Sequence, residues 1–148
     1  MKKIPFLPNR YYHIKNCANN NEYLFYEDKN YRHFLRLYKR HVSKTADLIA
    51  YCLLENRFEM LVRIKDDTEL PERFKERIHQ PFSNMFNAYT KGMNSLYGRN
   101  GSLFQEHFKR EEIQSSGVAF AIAEIKLLPS VFPKSKFLCK VTEYSVST

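Results

Sequence analysis

Asn56 to Lys65 reads NRFEMLVRIK, and its alternation decides the fold. Phe58, Met60, Val62 and Ile64 fall on one side of an extended chain, and Arg57, Glu59, Leu61 and Arg63 on the other, which is the two-residue period of a half-buried strand. Just before it, Asp47 to Leu54 (DLIAYCLL) is a short apolar run suited to a buried strand. The pair predicts a hairpin whose second strand presents two polar side chains, Arg57 and Glu59, at its start.

Upstream, Tyr11 to Ala18 (YYHIKNCA) mixes aromatic, apolar and polar residues and meets the cluster Asn19-Asn20-Asn21, so it reads as a strand ending in a turn. Glu27-Asp28 suits a helix N-terminus. Tyr31, Phe34, Leu35, Tyr38 and Val42 then recur at helical spacing, while Arg32, Arg36, Lys39 and Arg40 lie mostly elsewhere. Downstream of the hairpin, Pro81 suits the first turn of the main helix. Phe82, Met85, Phe86, Tyr89, Met93 and Leu96 form its 3.6-residue stripe until Gly98 or Gly101 ends it. Leu103 to Phe108 (LFQEHF) reads as a further strand and Val118 to Leu128 as a helix. The order strand, helix, strand, strand, helix, strand, helix predicts an α+β class, a ferredoxin-like or RRM-like sandwich with an antiparallel sheet and helices packed on one face.

Bulk properties narrow the function. The 148 residues suit one domain spanning 1–148, and 12 Phe and 10 Tyr supply enough apolar surface to exclude disordered and collagen-like classes. A net charge of +8 favours an anionic partner, nucleic acid first, because clustered cations concentrate polyanions at a surface. Cys17, Cys52 and Cys139 have no finger or CxxC spacing, which predicts reduced thiols and a cytoplasmic location. No stretch reaches the apolar length of a membrane span, and no membrane association is expected.

Three segments carry a resemblance. YHIKN (Tyr12 to Asn16), AYCLLENRFEMLV (Ala50 to Val62) and FSNMFNAYTKGMNSLYGRNGSLFQEHFKR (Phe82 to Arg110) are similar, in this order, to the opening strand, the central signature and the long helix with its following strand in the single-tyrosine transposases of the HUH class. These are the small insertion-sequence transposases and the tyrosine transposases associated with repetitive extragenic palindromes. The resemblance implies the sandwich fold, a homodimer, and recognition of an imperfect DNA hairpin with an adjoining single strand, the protein being nucleoid-associated when DNA is bound. It fades past Arg110. Residues 111–148 diverge from the family pattern, which suggests an ancestral frameshift or decay of this segment.

In that family two His, one residue apart on a strand, bind a divalent metal that polarises the scissile phosphate. The matching positions here are Arg57 and Glu59. Glu59 can still offer an oxygen to Mg²⁺ or Mn²⁺, but Arg57 is a permanent cation without a lone pair, so no metal is expected unless Glu59 retains a site. The family's nucleophilic Tyr sits in a motif resembling Y-I-H-x-N-P on the last helix; anchored on Pro129, its position is Glu124, or Ile125 if the alignment slips by one, and the metal-assisting Asn becomes Leu128. Tyr144 and Tyr97 are weak displaced nucleophiles. His13 and His107, expected side by side in the sheet, are weak metal ligands.

The resemblance with the lost motifs implies a DNA-binding transposase-family protein that no longer cuts, a remnant or a domesticated form. Its candidate phosphate contacts are Arg36, Lys39, Arg40, Arg57, Arg63, Lys91, Arg99, Lys109 and Arg110. Two alternatives stand beside it: an active metal-dependent single-strand endonuclease or strand transferase, and a non-catalytic dimeric interaction protein in which an Arg57–Glu59 ion pair neutralises the old site. RNA binding through the sheet is a weaker variant, because no RNP-like aromatic motif marks the strands.

Overall fold

The computed structural model describes residues 4–142. Five strands, β1 (Tyr11–Cys17), β2 (Ala46–Leu54), β3 (Arg57–Ile64), β4 (Lys109–Ile113) and β5 (Phe137–Val141), form one sheet in the order β4-β1-β3-β2-β5 with every pairing antiparallel. Three helices accompany it: α1 (Asp28–His41), α2 (Gln80–Tyr97) and α3 (Val118–Val131). The α+β class and the antiparallel sheet are as expected.

Phe58, Met60, Val62 and Ile64 point into the main core, together with Phe34, Tyr38, Phe82, Met85 and Tyr89 from α1 and α2. Aromatic rings hold this layer together: Phe34 lies 5.2 Å from Tyr89, 5.3 Å from Phe58 and 5.4 Å from Phe25, centroid to centroid. The local signals at the helix ends do what their chemistry suggests. Glu27 caps α1 reciprocally with Asn30, Pro81 lies in the first turn of α2, and Gly98 closes α2 at φ 60°, where a side chain would be strained.

Helices α1 and α2 share one face of the sheet, whereas α3 lies against the other, so the expectation that all helices pack on one face is corrected: the apolar side chains of α3 meet Leu61 and not the Phe58 face. Leu61, the one apolar residue among Arg57, Glu59, Leu61 and Arg63, is fully buried there beneath Val118, Ala121 and Ile125, with Ile49, Cys52 and Leu54 of β2 completing a second, smaller core. A single Leu in a polar register is enough to seat a helix when the neighbouring strand supplies apolar partners.

Three further expectations need correction. Leu103 to Phe108 is not a strand: it makes one isolated bridge, Ala18 to Phe104, because Phe104 and Phe108 turn inward, each ring 5.3 Å from Phe86. The strand is the charged stretch that follows, Lys109–Ile113, paired with β1 at the sheet edge. Strand β5 carries no alternation in burial and was not foreseen. Lastly, Cys52 and Cys139 face each other across β2 and β5 and are joined as a disulfide, not held as reduced thiols; Cys17 is free.

Candidate nucleic-acid interface

The strand register gathers a group of charges at one end of the α3-covered face. Lys15 of β1 stands opposite Glu59 of β3 on one side and Lys109 of β4 on the other, and Cys17 stands opposite Arg57. Successive residues alternate faces, so Lys15, Arg57, Glu59 and Lys109 all project to the same side. They line a hollow of about 130 Å³ whose wall is completed by Asn16 and Gln105.

Within this group Glu59 is not the partner of Arg57. Its Oε1 lies 2.7 Å from Nε2 of His13, both side chains being mostly buried. Arg57 instead lays its guanidinium over the Phe132 ring, 4.4 Å from the centroid, just past the end of α3. Among the described residues its buried Nε has no hydrogen-bond partner. Three cations therefore surround one carboxylate that a histidine already engages. Lys15 and Lys109 stand directly opposite each other, a like-charge pairing that costs energy in a sheet unless an anion lies between.

The residues do not fit the metal site that the resemblance implies. Arg57 has no lone pair, and His13 with Glu59 makes only two neighbouring donors; among the described residues, no group of three or more His, Cys, Asp or Glu could hold an ion.

Other expected site residues scatter. Arg36, Lys39 and Arg40 are exposed on α1 and Lys91 is exposed on α2, with a hollow of about 360 Å³ between the helices lined by Lys29, His33 and Arg36. Burial first, and then the Arg36 charge, hold the His33 pKa below its usual range. These cations lie across the sheet from Lys15, so the candidates form two sets and not one groove. Arg63 pairs with Asp47 at 3.0 Å and donates to Asn9 at 2.8 Å. Arg99 grips Glu22 with two bonds, 3.0 and 2.9 Å, and is nearly buried. Arg110 sits 4.4 Å over the Phe6 ring, and burial lowers its pKa. Arg63, Arg99 and Arg110 are thus tied into the fold.

Glu124 is exposed on α3, and Ile125, the slipped alternative, is buried against the sheet. Leu128 packs at the margin of the same small core. Tyr144 lies outside the described residues. Tyr97 donates its hydroxyl to Glu27 at 2.5 Å, and burial followed by that carboxylate pushes its pKa up, away from a phenolate. His107 is exposed 3.5 Å from Glu106 in the loop before β4 and does not stand beside His13, whose strand neighbours are Leu61 and Glu111. Sequence reading missed Lys15 and Phe132. Lys15 shares the two-residue period with His13, which was a usable signal; Phe132 gave none.

No family model matches the chain, and no curated protein matches it. Among solved structures, the fold is similar to that of a REP-associated tyrosine transposase bound to a REP hairpin, with a TM-score of 0.63 at 12% identity, covering 89% of this chain and 73% of that one. At that identity the likeness is one of fold. None of the helices among the described residues is long and apolar enough to cross a membrane.

Proposed function

We propose that this protein is a distant relative of the single-tyrosine transposases that binds DNA without cutting it, holding a hairpin with an adjoining single strand by phosphate contacts at Lys15, Arg57 and Lys109. The observation that carries this reading is the cationic hollow on β1, β3 and β4, at the positions where the family resemblance puts a metal. A guanidinium there supplies the positive charge that a phosphate needs, without the Lewis acid that cleavage needs. The fold shared with a hairpin-bound transposase adds support. The exposed cations of α1 and α2 offer a second set of contacts for the duplex.

The test is a salt titration of binding to hairpin DNA carrying a single-stranded tail. Affinity should fall steeply with salt, and Arg57→Ala should weaken binding and reduce the salt slope by about one. Equal binding to DNA and to a neutral polymer would end the DNA reading. Incubation with Mg²⁺ or Mn²⁺ addresses the other half: a nicked product or a covalent protein–DNA adduct would end the claim that the protein does not cut.

A second copy of the chain is the accompanying partner. Phe120, Leu127 and Val131 on the outer side of α3 are 71%, 63% and 64% exposed, and Phe137 and Val141 of the neighbouring edge strand β5 extend the apolar patch. Sedimentation should give a dimer that Leu127→Glu dissociates, and a monomer across the micromolar range would refute it.

A further inference from the structure

Residues 23–26 read Tyr-Leu-Phe-Tyr, and the structure treats the inner and outer pairs oppositely. Leu24 and Phe25 are buried, and their amides donate to the Glu55 carbonyl at 2.7 and 3.2 Å. Tyr23 and Tyr26 remain 47% and 40% exposed. The backbone beneath them is fixed further by Tyr26 N–H, which donates to Asn30 Oδ1 at 2.8 Å inside the α1 cap. Two large aromatic rings are therefore held outward on a pinned segment.

The rings continue in series. Tyr23 lies 5.8 Å from Tyr26, and Tyr26 lies 4.8 Å from Tyr97 at the end of α2. At the other end, Tyr23 faces a hollow of about 450 Å³ lined by Asn56, Phe132, Pro133 and Lys134. Phe132 is the ring that carries Arg57. The row thus runs on from the cationic hollow, with an exposed lysine and an exposed amide at the junction.

We propose that Tyr23, Tyr26 and Tyr97 form a stacking platform for unpaired bases of single-stranded DNA, whose first base enters the hollow between Tyr23 and Phe132. Every base has a flat π-face, so stacking on tyrosine binds single strands with little regard to sequence. Lys134 and Arg57 flank the aromatic row where backbone phosphates would pass, and Asn56 offers an amide to a base edge. A duplex keeps its bases stacked inside and gains nothing from the row.

This inference rests on the DNA-binding reading, and the experiment separates the two. Affinity is measured for one hairpin with no tail, with oligo(dT) tails of increasing length, and with a matching oligo(U) tail, using the wild type, Tyr23→Ala, Tyr26→Ala and Tyr23→Phe. The chain has no Trp to mask its ten tyrosines, so the part of the tyrosine quenching by the tail that is lost in each alanine variant reports stacking on that ring. The tail should tighten wild-type binding. Each alanine variant should lose roughly 5- to 20-fold on the oligo(dT)-tailed hairpin while the untailed hairpin changes less than about two-fold, and Tyr23→Phe should behave as wild type. Equal loss on tailed and untailed DNA, or no loss on either, overturns the platform while leaving DNA binding intact. A tighter oligo(U) tail overturns the assignment to DNA. Absence of binding to any hairpin by the wild type overturns the underlying reading and the platform with it.

Discussion

His13 and Glu59 meet across β1 and β3 at 2.7 Å, and that contact separates Glu59 from Arg57 two residues away on the same face. The carboxylate holds the histidine, and the guanidinium is left for Phe132. An Arg57–Glu59 ion pair, the arrangement expected of a pure interaction protein, is not formed.

Removing the Glu59 carboxyl altogether leaves a mostly buried imidazole without its partner. Glu59→Ala should cost about 1–3 kcal/mol in urea unfolding. Glu59→Gln keeps a hydrogen-bonding group in place and should cost less, while tightening hairpin DNA binding roughly two- to five-fold at low salt by deleting a negative charge beside Lys15 and Arg57. A Gln variant that binds DNA more weakly than wild type would contradict the phosphate role of this hollow.

The double variant Arg57→His with Glu59→His places a pair of imidazoles near His13 and so offers three neutral nitrogen donors. Its melting temperature should rise on addition of Mn²⁺, since an ion that binds only the folded state stabilises it, and the wild type should show no such rise. A double variant indifferent to Mn²⁺ would mean that positions 57 and 59 do not correspond to the family's metal ligands.

Arg99 separates cations tied into the fold from those proposed to contact DNA. Because its two bonds to Glu22 tie the end of α2 to the turn after β1, Arg99→Ala should lower the melting temperature by a few degrees and leave hairpin affinity unchanged at room temperature. Arg36→Ala should do the reverse. Loss of DNA affinity in a folded Arg99→Ala protein would return this residue to the interface.

Asp66 gives a pH test. Thr68 and Asn9 donate hydrogen bonds to its carboxylate and hold its pKa down to about 2. A carboxyl with a depressed folded pKa contributes stability that is complete above its unfolded value, near 4, and lost as the pH falls toward the folded value. Wild type should therefore be more stable than Asp66→Asn at pH 6, and thermal melts should show the two converging between about pH 4 and pH 2. A gap unchanged at pH 2 would mean that the effect is not carried by ionisation.

Much of this was legible where one physical signal dominated. The alternation in Asn56–Lys65, the helical stripe from Phe82 to Met93, and the Pro and Gly that bound it led to β3 and α2 within a residue or two, because burial on one face leaves a period in the sequence. Charged Lys109–Ile113 gave no such period: an edge strand can satisfy its backbone with few apolar side chains, so its composition resembles a loop. The opposite error at Leu103–Phe108 has the same root, since rings drawn into a core from an irregular loop look like a strand. Contacts between distant segments were beyond reach, among them His13 with Glu59 and Cys52 with Cys139, because neither leaves any mark in local spacing. The basic residues were all visible, but which of them are already bound to acids is a property of the fold alone.

The stacking of Arg57 on Phe132 bears on how tightly a small cationic hollow can hold an anion. An arginine on a free surface samples many rotamers and must surrender about 2 kcal/mol of side-chain entropy to adopt one of them. Laid on a ring before any ligand arrives, Arg57 has already given up much of that freedom during folding. Toward the phosphate, the aromatic residue beyond the last helix thus acts through order: exchanging Phe132 for a small side chain would loosen the charge without moving it off the protein.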